Sequence, residues 1–262
     1  MSAGKLNVVC IPVCELDARL MDALWELYAQ HYDNVRRDVF EADLANKQSV
    51  FVGVDARSGA VKGFSTAVIY QHRCAGRRIG IYFSGDTIVH PEFWGQKALH
   101  KAVLRALLRW KLRHPFTPLY WFLICSGYRT YLTMVRTFPE HWPHHARPLP
   151  EWERSVIDSI ARERFGAAWH PERGGGVVST DGPQAVVKQR VAPLTPELLA
   201  MPEIRFFLRV NPDCERGDEL AMIGCVNANA YARFVLKLAG RWVQRLVGRL
   251  VMPRPMGLGS HS

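Results

Sequence analysis

The chain has 262 residues, 48% of them hydrophobic and 22% charged, and a net charge of +10. That composition supplies one sizeable core and excludes wholesale disorder. The positive excess favours anionic partners: nucleotide phosphates, nucleic acid or an anionic bilayer. With no RNA-binding aromatic signature and no helix-turn-helix, nucleic acid ranks last and is not an expected partner.

In chain order, Leu6 to Val13 alternates as a first strand. Asp17 then reads as the N-cap of a helix with Leu20, Leu24, Leu27, Tyr28 and His31 at helical spacing. A second helix fits Val35 to Lys47, with Val39, Phe40 and Leu44 on one face. The period then changes. Ser49–Asp55, Val61–Tyr70 and Ile79–Val89 read as three strands joined by tight turns at Arg57-Ser58-Gly59 and Cys74–Arg78, an antiparallel meander.

Trp94 to Arg113 is helical in pattern, with Leu99, Val103, Ala106, Leu107 and Trp110 on one face. Leu119–Cys125 is too short for a buried helix and reads as a central strand, so strand, helix and strand make a parallel crossover. A helix near Tyr128–Val135 follows, then an irregular stretch Thr137–Pro150 with four prolines, and a helix Trp152–Phe165. Glu172–Pro183 is a loop. Arg205–Val210 and Glu219–Val226 read as two strands joined by a turn at Asn211–Leu220. Ala228–Leu250 is a basic amphipathic helix that suits either an anionic bilayer or docking on the protein's own sheet or a second subunit.

Cys10, Cys14, Cys74, Cys125, Cys214 and Cys225 form no C-x-x-C pair and read as buried, reduced thiols. The N-terminus lacks the apolar stretch of a signal peptide, and no window reaches the ~18 apolar residues of a membrane span. A cytoplasmic protein is expected, with peripheral membrane attachment as an option.

The order of strand, two helices, meander, long helix, strand and helix resembles the GNAT superfamily of acyltransferases. Ile88-Val89-His90-Pro91-Glu92-Phe93-Trp94-Gly95 is similar to that family's fourth strand running into its acyl-CoA loop, and Gly63-Phe64-Ser65 to its third strand. The resemblance covers Leu6 to Val135. It implies an α/β fold with a largely antiparallel central sheet flanked by helices, and a V-shaped cleft between Ile79–Val89 and Leu119–Cys125. It also implies transfer of an acyl group from a thioester to an amine, with no metal. Acyl-CoA or acetyl-CoA would be held by Ile88, Val89, Trp94, Gly95, Gln96, Lys97, Ala98 and Leu99. Helix N-termini have unpaired amides and favour phosphate whatever the family.

The loop departs from the family's pattern. Trp94 stands where the family has arginine or glutamine, and Lys97 and Leu99 stand where it has glycine. Side chains there crowd a backbone that must approach phosphate. That leaves two alternatives: an acyl carrier protein as donor, or a non-catalytic module of the same fold that binds an acyl carrier or a lipid.

Asp86, beside Gly85 in a strand, predicts a bulge and is the candidate base. His90 is the second candidate base. The resemblance implies Tyr131, ahead of Tyr128, as the acid that protonates the leaving thiolate. His141, His144 and His145 read as part of a solvated loop, short of a fourth zinc ligand. Phe138, Trp142 and Trp152 are expected to wall a tunnel for a medium or long acyl chain, with a small-molecule or lipid amine as acceptor. Residues 1–226 are expected to form the transferase domain, with 137–204 as an insertion and 227–262 as the basic helix and tail.

Overall fold

The computed structural model describes residues 4–179, 186–187, 194–230 and 232. Strand β1 (Leu6–Pro12) leads through one turn of 3-10 helix into α1 (Ala18–His31). Asp17 caps α1: its Oδ1 accepts the Leu20 amide at 2.7 Å, satisfying one of the first-turn donors that lack a helical partner. α2 (Arg37–Ala45) buries Phe40 and Leu44. Val39, expected on that face, is 57% exposed. One residue is about 100° of helix, so Val39 and Phe40 do not share a direction.

β2 (Ser49–Asp55), β3 (Val61–Cys74) and β4 (Arg77–Val89) form the meander. The β3–β4 turn is only Ala75-Gly76, both at positive φ (44° and 78°), the backbone that a two-residue hairpin turn needs. The predicted bulge is present. Ser65 faces Thr87 while Ala67 faces Ser84, so β4 carries one extra residue at Gly85-Asp86. A Cβ on Gly85 would collide with Thr66 Oγ1 and Lys47 Cε, so glycine is required there.

α3 (Ala98–Arg113) crosses to β5 (Leu119–Cys125), which pairs parallel with β4 from Gly80↔Leu119 to Phe83↔Phe122. α4 (Tyr128–Thr137), an irregular stretch and α5 (Glu151–Phe165) follow. A helical turn at Pro196–Leu199 precedes α6 (Pro202–Val210), and β6 (Glu219–Cys225) pairs antiparallel with β5. The sheet order is β1-β2-β3-β4-β5-β6, extended by the two-residue strands Val177–Val178 and Trp169–His170. α3, α4 and α6 bury one face of the sheet, α5 the other, and α1 and α2 cover the β2–β4 end.

Three expectations are corrected. Arg205–Val210 is helix, not strand. Pro202 takes the first helical turn, and Ile204, Phe207 and Val210 are buried at a spacing of three, a pattern that a six-residue segment begun after Ile204 does not display. Asn211–Leu220 therefore joins a helix to a strand. The third helix begins at Ala98 rather than Trp94, because Gly95 and Lys97 take positive φ. All six cysteines are free, but Cys10 on the edge strand and Cys14 in the 3-10 turn are exposed. The Ala228–Leu250 helix lies, beyond its first residues, outside the described residues, as do Arg241, Arg245 and Arg249. Among the described residues no helix is long and apolar enough to cross a membrane.

Candidate active site

β4 and β5 pair for four residues and then part. Beyond Phe83 and Phe122 the bulge turns β4 away, while β5 stays paired to β6 as far as Cys125. A cleft of about 1740 Å³ opens between the two arms, walled also by α1, α2 and the N-terminal ends of α3 and α4. Trp121 on β5 reaches across its apex, donating Nε1–H to Ser84 Oγ at 2.8 Å.

Asp86 lies on the β4 arm inside this cleft. Burial pushes its carboxyl up to about 7; the Asp43 carboxylate adds to the shift and the Lys47 ammonium opposes it. Glu219, the first residue of β6, lines the same cleft. Its carboxyl is also pushed up to about 7, first by burial and then by Asp86 and Asp43, against the hydrogen bond it accepts from Ser126 Oγ at 2.6 Å. Lys47 is almost fully buried. It pairs with Asp43 at 2.6 Å and lies 5.2 Å from the Phe83 ring centroid, so one fixed cation sits beneath three carboxylates. Tyr28, stacked on Tyr32 at 4.7 Å between centroids, forms the aromatic side of the same space.

The predicted donor-binding residues divide. Ile88, Val89, Trp94, Gly95, Lys97, Ala98 and Leu99 all line the cleft. α3 starts from Lys97, and no side chain caps its N-terminus. Leu99 does not crowd that end: its side chain is buried in the core, with Cδ1 against the Gly63 backbone. Lys97 adopts the left-handed φ of 55° that a glycine would take without strain. Trp94 donates Nε1–H to Val89 O at 2.6 Å, and the Arg129 guanidinium of α4 lies 4.8 Å from its ring centroid, bridging the cleft mouth.

Gln96 is corrected. Its amide bonds the Gly4 carbonyl at 2.7 Å and the Leu6 amide at 2.9 Å, tying the loop to β1 instead of facing the cleft. His90 is off the cleft wall as well; its Nδ1 lies 3.5 Å from Glu92 Oε2. Tyr131 is fully buried between α4 and α6, tilted on Phe206 and Phe207, with its hydroxyl unpartnered and its acidity suppressed by burial. Tyr128, three residues earlier, is the α4 tyrosine that lines the cleft.

The aromatic tunnel is also corrected. Phe138 fills the space over Gly224, Trp142 is buried beside β6, and Trp152 donates to Tyr120 Oη at 2.9 Å; none of the three lines the cleft. Glu219, Asp43 and Lys47 were not singled out from sequence. Glu219 carried the same signal as Asp86, an acid in an apolar strand, but stood among other acids in turn chemistry.

A β-meander whose last strand splays from a parallel partner, with a long helix crossing between the two, is what the resemblance to the GNAT superfamily implies, and the chain has that arrangement. No protein-family model and no curated protein matches the sequence. Among solved structures the chain is similar to a probable N-acyltransferase from Enterococcus faecalis, at 17% identity and a TM-score of 0.37 over 49% of this chain and 32% of that one. It is similar to a GCN5-related N-acetyltransferase from Kribbella flavida, at 16% identity and 0.36 over 52% and 35%. It is also similar to the NatC complex bound to Gag peptide and CoA, at 16% identity and 0.38 over 58% and 92%. The match spans about a third of the length of the first two proteins. The fold assignment rests on the strand order and register above.

Proposed function

We propose that the chain is an N-acyltransferase that moves an acyl group from a thioester, carried by coenzyme A or an acyl carrier protein, to an amine. One observation carries this reading: the β4–β5 cleft holds a carboxylate pushed up to about 7 at its bulge, and the uncapped N-terminus of α3 opens into the same space. The residues present fit a phosphate-bearing donor. Gly95, at a φ of 85° and with open space where a side chain would start, leaves room for it. The α3 amides and Lys97 supply positive potential, and beyond Phe83 the edge of β4 that faces β5 has no strand partner among the described residues.

Asp86 takes the proton from the acceptor amine as nitrogen bonds to the acyl carbon. The carbon–sulfur bond breaks, and Tyr128 is the proton donor for the leaving thiolate. A carboxyl near 7 is matched to that task, since a base works best with a pKa close to the working pH. Within this reading residues 1–226 form the transferase domain, with 137–204 as an insertion ahead of β6.

The test is thermal stabilisation by acyl-CoAs of graded chain length, followed by turnover with a panel of amines. A ligand at a hundred times its Kd adds about 2.7 kcal/mol of stability. Stabilisation and acyl transfer are expected. Transfer from an acyl carrier protein alone moves the donor to the carrier, and binding without transfer from either donor defines a binding module. No stabilisation and no transfer with any donor overturns the reading.

A further inference from the structure

His141, His144 and His145 lie outside the cleft, in the irregular stretch after α4, and do not form the solvated loop their sequence suggests. His141 is 2% exposed and forms, with Trp142, a two-residue strand paired to Gly224 and Ile223 of β6. The three rings stack in series, with centroids 4.6 Å apart at each step. One nitrogen from each ring lies within 4.8 Å of the other two.

Hydrogen bonding fixes the key tautomer. His141 Nδ1 is 2.8 Å from the Phe138 carbonyl, and a carbonyl only accepts, so Nδ1 carries the proton and Nε2 presents its lone pair. That Nε2 is buried and has no partner; neither has the buried Nδ1 of His145. A buried polar nitrogen left without a partner is costly, and two of them in one cluster can be satisfied by one shared occupant. A backbone carbonyl behind the ring is also the usual support of a metal-ligating imidazole. Arg147, the nearby cation, is held aside: it donates to the Pro139 carbonyl and lies over the Trp142 ring.

We propose that His141, His144 and His145 bind one transition-metal dication of the zinc, copper or nickel class, through His141 Nε2 and His145 Nδ1 with His144 as the third ligand. Imidazole sets suit these ions, and a three-histidine site leaves a fourth position for water. Zinc–nitrogen bonds of about 2.1 Å put tetrahedral ligands roughly 3.4 Å apart, so the rings must close in. His144 then releases to solvent the exposed contact its Nδ1 makes with the Ala146 amide. Gly224 is five residues from Glu219 along β6, roughly 17 Å at strand rise, so the ion would clamp the loop to β6 away from the transfer cleft.

The test uses the full chain stripped with chelator and titrated with Zn²⁺ by calorimetry and with Co²⁺ by visible absorption. One equivalent is expected, with a cobalt d–d band and a raised Tm. The double variant His144→Ala/His145→Ala is expected to weaken binding at least about tenfold and remove the band. Absence of uptake by the wild type, or equal uptake by the double variant, overturns the site. If the double variant is unfolded without metal, His145→Asn alone decides by the same titration, and unchanged affinity there overturns it too.

Discussion

The two arms of the cleft part from a shared core in different ways, and each delivers a carboxylate. β4 leaves by a bulge, which turns Asp86 inward; β5 stays paired along β6, whose first residue is Glu219. Burial dominates both shifts, and both carboxyls reach about 7. Their neighbours differ. The Ser126 hydroxyl favours the ionised form of Glu219, whereas the hydrogen bond favouring ionised Asp86 comes from its own backbone amide. Under the proposed function the two carboxyls therefore differ in role: Glu219 is tethered by Ser126, and Asp86 is the one that would take the substrate proton.

The largest expected effect tests that inequality. Asp86→Asn should lower kcat at least about 100-fold, the usual scale for losing a general base. Glu219→Gln should stay within about tenfold and act mainly on KM. Steady-state rates for the two variants check this, and equal losses in kcat would break the distinction between the arms. Next in size is the tyrosine pair. Tyr128→Phe should cost about tenfold in kcat. Tyr131→Phe should leave the rate unchanged and, by removing an unpartnered buried hydroxyl, be neutral or stabilising. Tyr131→Ala should destabilise by roughly 3–5 kcal/mol through the cavity it leaves, read by chemical denaturation. A rate loss in folded Tyr131→Phe would return the proton donor to the α4–α6 core.

pH gives a third test, with opposite signs for rate and stability. Asp86 must be ionised to act, so kcat/KM should rise as pH passes through about 7. A carboxyl whose folded pKa lies above its unfolded value binds its proton more tightly when folded. Its contribution to stability is complete below the unfolded value and is lost as pH rises through about 7. The wild type should therefore have a lower Tm at pH 8 than at pH 5. Asp86→Asn should lose less, by roughly 2–4 °C for each kcal/mol of relieved repulsion and desolvation. An identical Tm difference between pH 5 and pH 8 in wild type and variant would show that Asp86 is not a pressed carboxyl.

The same contrast explains what was legible in the sequence. Ser49–Asp55 and Leu119–Cys125 match their strands residue for residue, because both are apolar runs bounded by turn residues or proline. The bulge was legible because a glycine followed by an acid fits no regular strand. Gln96 was not: its partners Gly4 and Leu6 lie about ninety residues away, and nothing local points to them. The choice between Tyr128 and Tyr131 was not legible either. Three residues of helix turn the side chain by only about 60°, and the position of α6 decides which ring is swallowed. Arg205–Val210 failed for a related reason: six residues with only Phe206, Phe207, Leu208 and Val210 apolar are too few to separate the two periods, and the burial of Ile204, Phe207 and Val210 separates them.

The smallest expected effect sits at the cleft mouth, where the chain has Lys97 in a backbone suited to glycine. Left-handed φ costs a residue with a Cβ about 1–2 kcal/mol, and glycine gives back roughly 0.5–1 kcal/mol through its freer unfolded chain. Lys97→Gly should therefore stabilise the protein by about 0.5–1 kcal/mol and raise Tm by roughly 2 °C. Donor binding is subject to two opposed consequences. The ammonium facing the cleft is lost, which weakens attraction to phosphate; the backbone gains room, which lets phosphate approach more closely. Because Leu99 is already buried against Gly63 and leaves the loop uncrowded, the charge should dominate, and coenzyme A should bind a few-fold more weakly. Salt separates the two effects. Screening shrinks a charge contribution and leaves a steric one intact, so the difference between wild type and variant should narrow between 0.05 and 0.5 M salt, concentrations on the order of those that halve or double the Debye length. Tighter binding by Lys97→Gly at both salt concentrations would mean that the lysine side chain obstructs the phosphate site, and that the loop is built for a donor other than coenzyme A.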